Sequence, residues 1–285
     1  MKRVLVTGTT GFIGSAFMRM LNSSDYQVIP VVRKPVRLPD EVVIDFDDDN
    51  VASRLDEIGT VDAILHLGTR VDFEASLGDL FLPNIKATFA LVNWASEVGA
   101  YFMFTSSVMV YGAKTELIHD SSEMALDTNY AWSKWLAERT IVASKTKWAI
   151  LRLAGVYGND DSPSLGINRS IAQAQHGEFP ILYGDGKGKR NYIYVVDLVH
   201  LLVHCLKERI TGQYVVAGTE VISIGDMMRA IYKTFLPVGS EVVRLDSSVK
   251  SHDQVVVSSP SMPVRIRGFE EALNHMKFWY ERLGE

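Results

Sequence analysis

The chain has 285 residues, 47% of them hydrophobic, and a formal net charge of −5. No basic run exceeds a few residues, so no nucleic-acid partner is expected, although a local basic site is compatible with mild acidity. Its one cysteine, Cys205, excludes an internal disulfide, and the apolar stretch after Lys2-Arg3 is cut at Gly8 and Gly11, too short for a signal peptide or a spanning helix. A soluble cytoplasmic protein with no membrane association is expected.

Val4-Leu5-Val6 is a short apolar run bounded by glycine and reads as a buried strand. Over 12–21, Phe12, Ala16 and Met20, and likewise Ile13, Phe17 and Leu21, recur every four residues and predict a helix. Val28-Ile29-Pro30-Val31-Val32 predicts a second strand, in which the proline is awkward for a central position. Val42-Val43-Ile44, Ala63-Ile64-Leu65 and Phe102-Met103-Phe104 are further strand candidates. Ile85, Phe89 and Val92, with Leu91 and Ala95, mark a helix, and another spans 130–142 before the strand Ala149-Ile150-Leu151. Short buried strands alternating with helices predict an α/β fold with a doubly wound parallel, Rossmann-type sheet.

The pattern changes after Gly158. A loop over 159–164 precedes a helical stretch over 167–176 and the basic turn Gly184-Asp185-Gly186-Lys187-Gly188-Lys189-Arg190. Tyr214-Val215-Val216 reads as a strand, and helices over 224–235 and 269–283 flank a strand near Val242-Val243. The expected division is a dinucleotide-binding domain over 1–160, to which 191–220 return, and a smaller C-terminal α/β substrate lobe from 161–190 and 221–285. Cys205 is expected to pack inside a helix.

Gly8, Gly11 and Gly14 follow the first strand and open the first helix. A chain that turns tightly and approaches a pyrophosphate needs residues without a Cβ, and a helix N-terminus offers free N–H groups to phosphate. Any strand-to-helix turn favours glycine; the position after the first strand is what favours a nucleotide. The end of the second strand discriminates between dinucleotides. A carboxylate there would bind the ribose 2′-hydroxyl of NAD, whereas this chain has Arg33 and Lys34. Arg33 can pair with a 2′-phosphate and stack on adenine, which favours NADP, with NAD as the alternative. A solvated basic pair is the plainer reading of these two. Asp45 could accept from the adenine amino group or be a simple strand-end polar residue.

Tyr130 and Lys134 are four apart on a predicted helix and share a face. Reducing a ketone needs a hydride on carbon and a proton on oxygen. A tyrosine can give the proton, and a neighbouring ammonium is expected to lower its pKa from near 10. Ser107, at the carboxyl end of a strand, would hydrogen-bond the substrate oxygen. A Tyr beside a surface Lys is common on its own; the position of Ser107 is what favours catalysis.

These residues sit in a larger ordered set. It comprises Thr7-Gly8-Thr9-Thr10-Gly11-Phe12-Ile13-Gly14, His66-Leu67-Gly68, Phe104-Thr105-Ser106-Ser107-Val108-Met109-Val110-Tyr111-Gly112, Tyr130-Ala131-Trp132-Ser133-Lys134, Arg152-Leu153-Ala154-Gly155-Val156-Tyr157-Gly158 and the segment from Gly184 to Asp197. In these motifs the chain resembles an extended short-chain dehydrogenase/reductase of the NAD(P)-dependent epimerase/dehydratase family. The resemblance implies Ser107, Tyr130 and Lys134 as a catalytic triad. It implies cofactor contacts from Gly8, Thr10, Gly11, Phe12, Ile13, Gly14, Leu67, Gly68, Thr69, Tyr130 and Lys134. It also implies a nucleotide-sugar substrate whose diphosphate meets Arg190, and a homodimer face on the helices near 85–98 and 130–142, with Trp94, Trp132 and Trp135 on or near them or in the core.

Two departures stand out. Position 155 is Gly where sugar-nucleotide epimerases usually carry Asn, and the usual Asp-containing segment is hard to find around 258–267, where Arg265 and Arg267 lie. The expected activity is NADP-dependent reduction of a keto group on a nucleotide sugar. The alternative is a 4-epimerase with tightly held NAD. Reduction of a small non-sugar carbonyl and a non-catalytic dinucleotide-binding regulator rank lower, and Val108-Met109 stand where a dehydratase would need an added acid/base pair.

Overall fold

The computed structural model describes residues 2–21, 25–159, 165–247, 251–260 and 264–283. The loop expected over 159–164 therefore lies, from 160 on, outside the described residues. Five strands open the chain: β1 (Lys2–Thr7), β2 (Tyr26–Val32), β3 (Val42–Val43), β4 (Ala63–His66) and β5 (Tyr101–Ser107). Between and after them run α1 (Phe12–Met20), α2 (Val51–Asp56), α3 (Leu77–Leu80), α4 (Ala87–Val98) and α5 (Asn129–Val142). The seven-stranded sheet has the order Gly212–Val216, Trp148–Leu153, β5, β4, β1, β2, β3. The pairs from Trp148–Leu153 to β3 are all parallel. The order reverses at β1, so the connections that leave the carboxyl ends of β1 and β4 run in opposite directions across the sheet, the switch point at which doubly wound sheets take their ligands.

The apolar runs become strands because both sheet faces are covered. Leu5, Ile64, Phe102, Phe104 and Ile150 share one core with Leu91, Val92 and Trp94 of α4 and Ala137 and Ile141 of α5. Pro30 is tolerated in β2 because the pairing with β3 begins only at Val31 and Val32, so its missing N–H breaks no rung there. Phe81–Lys86, ahead of α4, is a π-helical turn that contains Pro83, which has no N–H to give an α-helical ladder. The strand expected near Val242-Val243 forms at Arg244–Leu245, parallel to Leu182–Tyr183. Cys205 is buried in the helix Val195–Glu208.

The chain divides into two compact units: Met1–Ala113, Glu123–Leu153 and Leu201–Tyr214 form the first, and Lys114–Ser122, Ala154–His200 and Val215–Glu285 the second. In the second, short two-stranded pairings join Val156–Tyr157 to Ile193–Tyr194 and Lys189–Arg190 to Ile222–Ser223. The aromatic rings of Tyr157, Tyr194 and Phe269 pack together there. No helix among the described residues is long and apolar enough to cross a membrane.

Candidate active site

The glycine loop and the end of β4 meet backbone to backbone. Gly8 has φ +72°, and a Cβ on it would stand 2.6 Å from the Gly68 nitrogen. A Cβ on Gly14 would collide with the Gly8 carbonyl. Gly11 caps α1 without a side-chain hydrogen bond, and the first turn of α1 has no acidic residue. Thr9 Oγ1 is buried with no partner. A loop held this flat, an uncapped helix N-terminus and an orphaned hydroxyl fit a pyrophosphate. Thr10 and Gly11 are exposed, and Phe12 and Ile13 are half-buried. Leu67, Gly68 and Thr69 are half-buried beside the loop, and the Gly68 N–H donates to Thr7 Oγ1 at 3.0 Å. Arg33 and Lys34, just past β2, are exposed. Asp45 is half-buried, and one of its carboxylate oxygens accepts from the Asp47 N–H at 3.2 Å.

Ser107 ends β5, and its hydroxyl hydrogen-bonds the Tyr130 phenol. Ser107 Oγ also accepts from the Met109 N–H at 3.2 Å. Lys134 Nζ donates to Thr69 Oγ1 at 2.7 Å and to the Thr105 carbonyl at 2.8 Å, so the ammonium bridges the ends of β4 and β5. The structure thus brings Ser107, Tyr130, Lys134 and Thr69 together. Arg190 belongs to the second unit, where its Nη1 donates to the carbonyls of Lys189 at 2.7 Å and His252 at 2.6 Å.

Burial sets the proton affinities. It raises the Tyr130 phenol above its ordinary range, with the Ser107 hydrogen bond as the opposing influence. Burial also pushes Lys134 down to about 7, while the Glu138 carboxylate pulls it up. The lowering of Tyr130 expected from Lys134 is not found: the Ser107 hydrogen bond is the influence that opposes burial, and burial outweighs it.

Sequence reasoning passed over Glu138, one turn after Lys134. It is buried, accepts from Ser106 Oγ at 2.5 Å and takes Arg152 Nε at 3.1 Å and Nη2 at 2.7 Å. Arg152 Nη1 donates to the Tyr111 hydroxyl at 2.7 Å. The i,i+4 spacing from Lys134 was the one available signal.

The two departures have structural counterparts. A Cβ at Gly155 would run into the Tyr192 ring, so no Asn fits there without moving it. Arg267 is ion-paired with Asp197, and Arg265 with Glu271 at 2.7 Å. Trp94 is core, whereas Trp132 is 42% exposed and meets Trp135 edge-on.

The family model described as NAD dependent epimerase/dehydratase family matches residues 4–218. The chain belongs to that family. Among curated relatives, dTDP-D-glucose 4,6-dehydratase of Mus musculus is 27% identical over 265 residues, covering 84% of this chain and 75% of its own. The dTDP-4-dehydro-6-deoxy-D-allose reductase of Streptomyces bikiniensis is 26% identical, covering 81% of this chain and 80% of its own. Among solved structures, UDP-N-acetylglucosamine 4-epimerase from Bacillus cereus superposes with a TM-score of 0.84 at 20% identity, covering 99% of this chain and 100% of that one, which establishes the shared fold. This epimerase/dehydratase family member is an enzyme of the short-chain dehydrogenase/reductase class, and its cofactor is a nicotinamide dinucleotide.

Proposed function

We propose that the protein reduces a keto group on a nucleotide-activated sugar, with NADPH as reductant and Tyr130 as proton donor. The observation that carries the reading is the end of β2, where exposed Arg33 and Lys34 stand in place of a carboxylate. A guanidinium and an ammonium there attract a 2′-phosphate, which an acid would repel. The curated reductase relative supports the same direction of chemistry.

Gly8, Thr10, Gly11, Phe12, Ile13 and Gly14 would hold the pyrophosphate, Asp45 the adenine, and Leu67, Gly68 and Thr69 the far half of the dinucleotide. NADPH, when bound, supplies the hydride. Ser107 would turn its hydroxyl proton from the Tyr130 phenol to the substrate oxygen, while its own oxygen goes on accepting from the Met109 N–H. Tyr130 stands protonated, since burial raises its phenol, and gives that proton to the oxygen as it becomes an alcohol. Lys134, fixed by Thr69 and Thr105, holds the cofactor ribose and stabilises the phenolate left behind. Arg190 would take the substrate diphosphate. Exposed Phe89 on α4 and Trp132 on α5 fit a homodimer face, which light scattering would test against a monomer.

The test is incubation with NADPH and a panel of nucleotide-activated 4-keto sugars. Loss of the reduced nicotinamide signal matched by an alcohol product supports the reading. No turnover across the panel with either dinucleotide refutes it.

A further inference from the structure

We propose that His66 is a positioning residue: a neutral imidazole with its proton on Nε2 that ties the turn at 67–69 to the catalytic helix. This rests on the reading above, in which that turn faces the dinucleotide. His66 ends β4 and is fully buried. Its Nδ1 lies 2.7 Å from Thr7 Oγ1, and its Nε2 lies 3.0 Å from Thr88 Oγ1.

Counting protons fixes the direction of both bonds. The Thr88 hydroxyl has one hydrogen and gives it to the Asn84 carbonyl at 2.6 Å. Toward His66 it can only accept, so Nε2 carries the proton. In a neutral ring Nδ1 is then an acceptor, and the Thr7 hydroxyl donates to it. Thr7 Oγ1 in turn accepts from the Gly68 N–H at 3.0 Å. The file runs from Gly68 through Thr7, His66 and Thr88 to Asn84, every donor facing an acceptor.

Asn84 carries it onward. Its Oδ1 accepts from the Arg70 N–H at 2.7 Å, and its Nδ2 donates to Ser133 Oγ at 2.9 Å. Ser133 Oγ donates to the Tyr130 carbonyl at 2.8 Å. One end of the file sets the close approach of Gly8 and Gly68, and the other seats the first turn of α5.

The opposite tautomer would set the Nε2 lone pair against that of Thr88. A second ring proton would displace the one that Thr7 donates. The groups facing the ring are the Lys134 ammonium from α5, the Phe102 and Phe104 rings from β5, the Thr7 hydroxyl from β1 and the Thr88 hydroxyl from α4. Burial, and after it the like charge of Lys134, opposes that second proton and pushes His66 down to about 3.

The test has two arms. Long-range proton–nitrogen correlation spectra of the ¹⁵N-labelled chain will give one histidine in the Nε2–H form that does not titrate between about pH 5 and 8, assigned by its loss in His66 variants. In the second arm, calorimetry with NADPH and NADH compares His66→Asn, whose amide oxygen can replace Nδ1 toward Thr7, with His66→Phe, which keeps only the shape. The Asn variant should bind within about threefold of wild type and the Phe variant roughly tenfold or more weaker, as losing a buried partner costs. A ring in the Nδ1–H form, a ring that titrates in that range, or a folded Asn variant no better than Phe overturns the proposal. A wild-type chain that takes up neither dinucleotide overturns it through the reading beneath it; that failure is distinct, because wild type and variants are then equally silent.

Discussion

Glu138 grips Arg152 with both carboxylate oxygens, at 3.1 and 2.7 Å, while standing one helical turn beyond Lys134. The pair is buried and joins α5 to the strand beside β5. Removing one partner of such a pair leaves the other charge uncompensated. Glu138→Gln should therefore cost about 3–5 kcal/mol of stability, read by denaturant unfolding. Because Glu138 also pulls the Lys134 ammonium up, the pH limb that reports Lys134 should move below its starting point of about 7. An unchanged limb in a folded variant would show that Glu138 serves Arg152 alone.

Tyr130→Phe removes the proton donor and leaves the ring packing intact. Turnover of a 4-keto nucleotide sugar should fall by about 10²–10⁴, the usual range for general acid catalysis. Dinucleotide affinity and melting temperature should stay near wild type. A variant that retains most of its turnover would move the proton donor elsewhere.

Arg33→Ala should weaken NADPH by roughly 10-fold or more, the loss of charge-assisted hydrogen bonds to a phosphate, and leave NADH nearly unchanged. Calorimetry with both dinucleotides reads this directly. Equal losses for the two would make Arg33 an adenine support rather than a 2′-phosphate clamp.

Acid stability follows from His66. An ordinary histidine titrates near 6.5, whereas His66 holds out to about 3 in the folded chain. The folded-state pKa is the depressed one, so between those values the unfolded chain binds the extra proton. The stability this group contributes is complete above 6.5 and falls as pH drops toward 3, at about 1.4 kcal/mol per pH unit. Unfolding of wild type and His66→Asn between about pH 4 and 6 should differ in slope by close to that amount. Parallel slopes would mean the ring takes a proton when folded.

Gly155→Ala tests the close contact with Tyr192. The added methyl must push the Tyr192 ring aside, which should destabilise by about 1–3 kcal/mol, as overpacking does. In a double-mutant cycle with Tyr192→Ala by denaturant unfolding, the two losses should sum to more than the loss of the double variant.

The fold was largely legible because its strands are buried on both faces and read as unbroken apolar runs, as the adjacent pairs Leu5-Val6, Ile64-Leu65 and Phe102-Met103 illustrate. Ser107, Tyr130 and Lys134 stood out because helical spacing and a strand end are local patterns. What joins distant segments was not legible. Glu138 and Arg152 are 14 positions apart, and Thr7 and His66 are 59 apart, so tertiary packing alone makes them partners. The behaviour of Tyr130 was misjudged for a related reason. Spacing places a lysine nearby but says nothing of how completely burial strips both groups of water. The displaced strand at Arg244–Leu245 shows the weakness of two-residue elements, whose position depends on the partner strand rather than on local preference.

The most direct measurement of the central claim is the fate of deuterium from NADPH labelled at the transferring carbon. Net reduction predicts one label on the former keto carbon for each NADPH consumed. Interconversion of the two alcohol epimers of the nucleotide sugar at that position, with no label taken up and no added dinucleotide consumed, would contradict it and make the enzyme an epimerase.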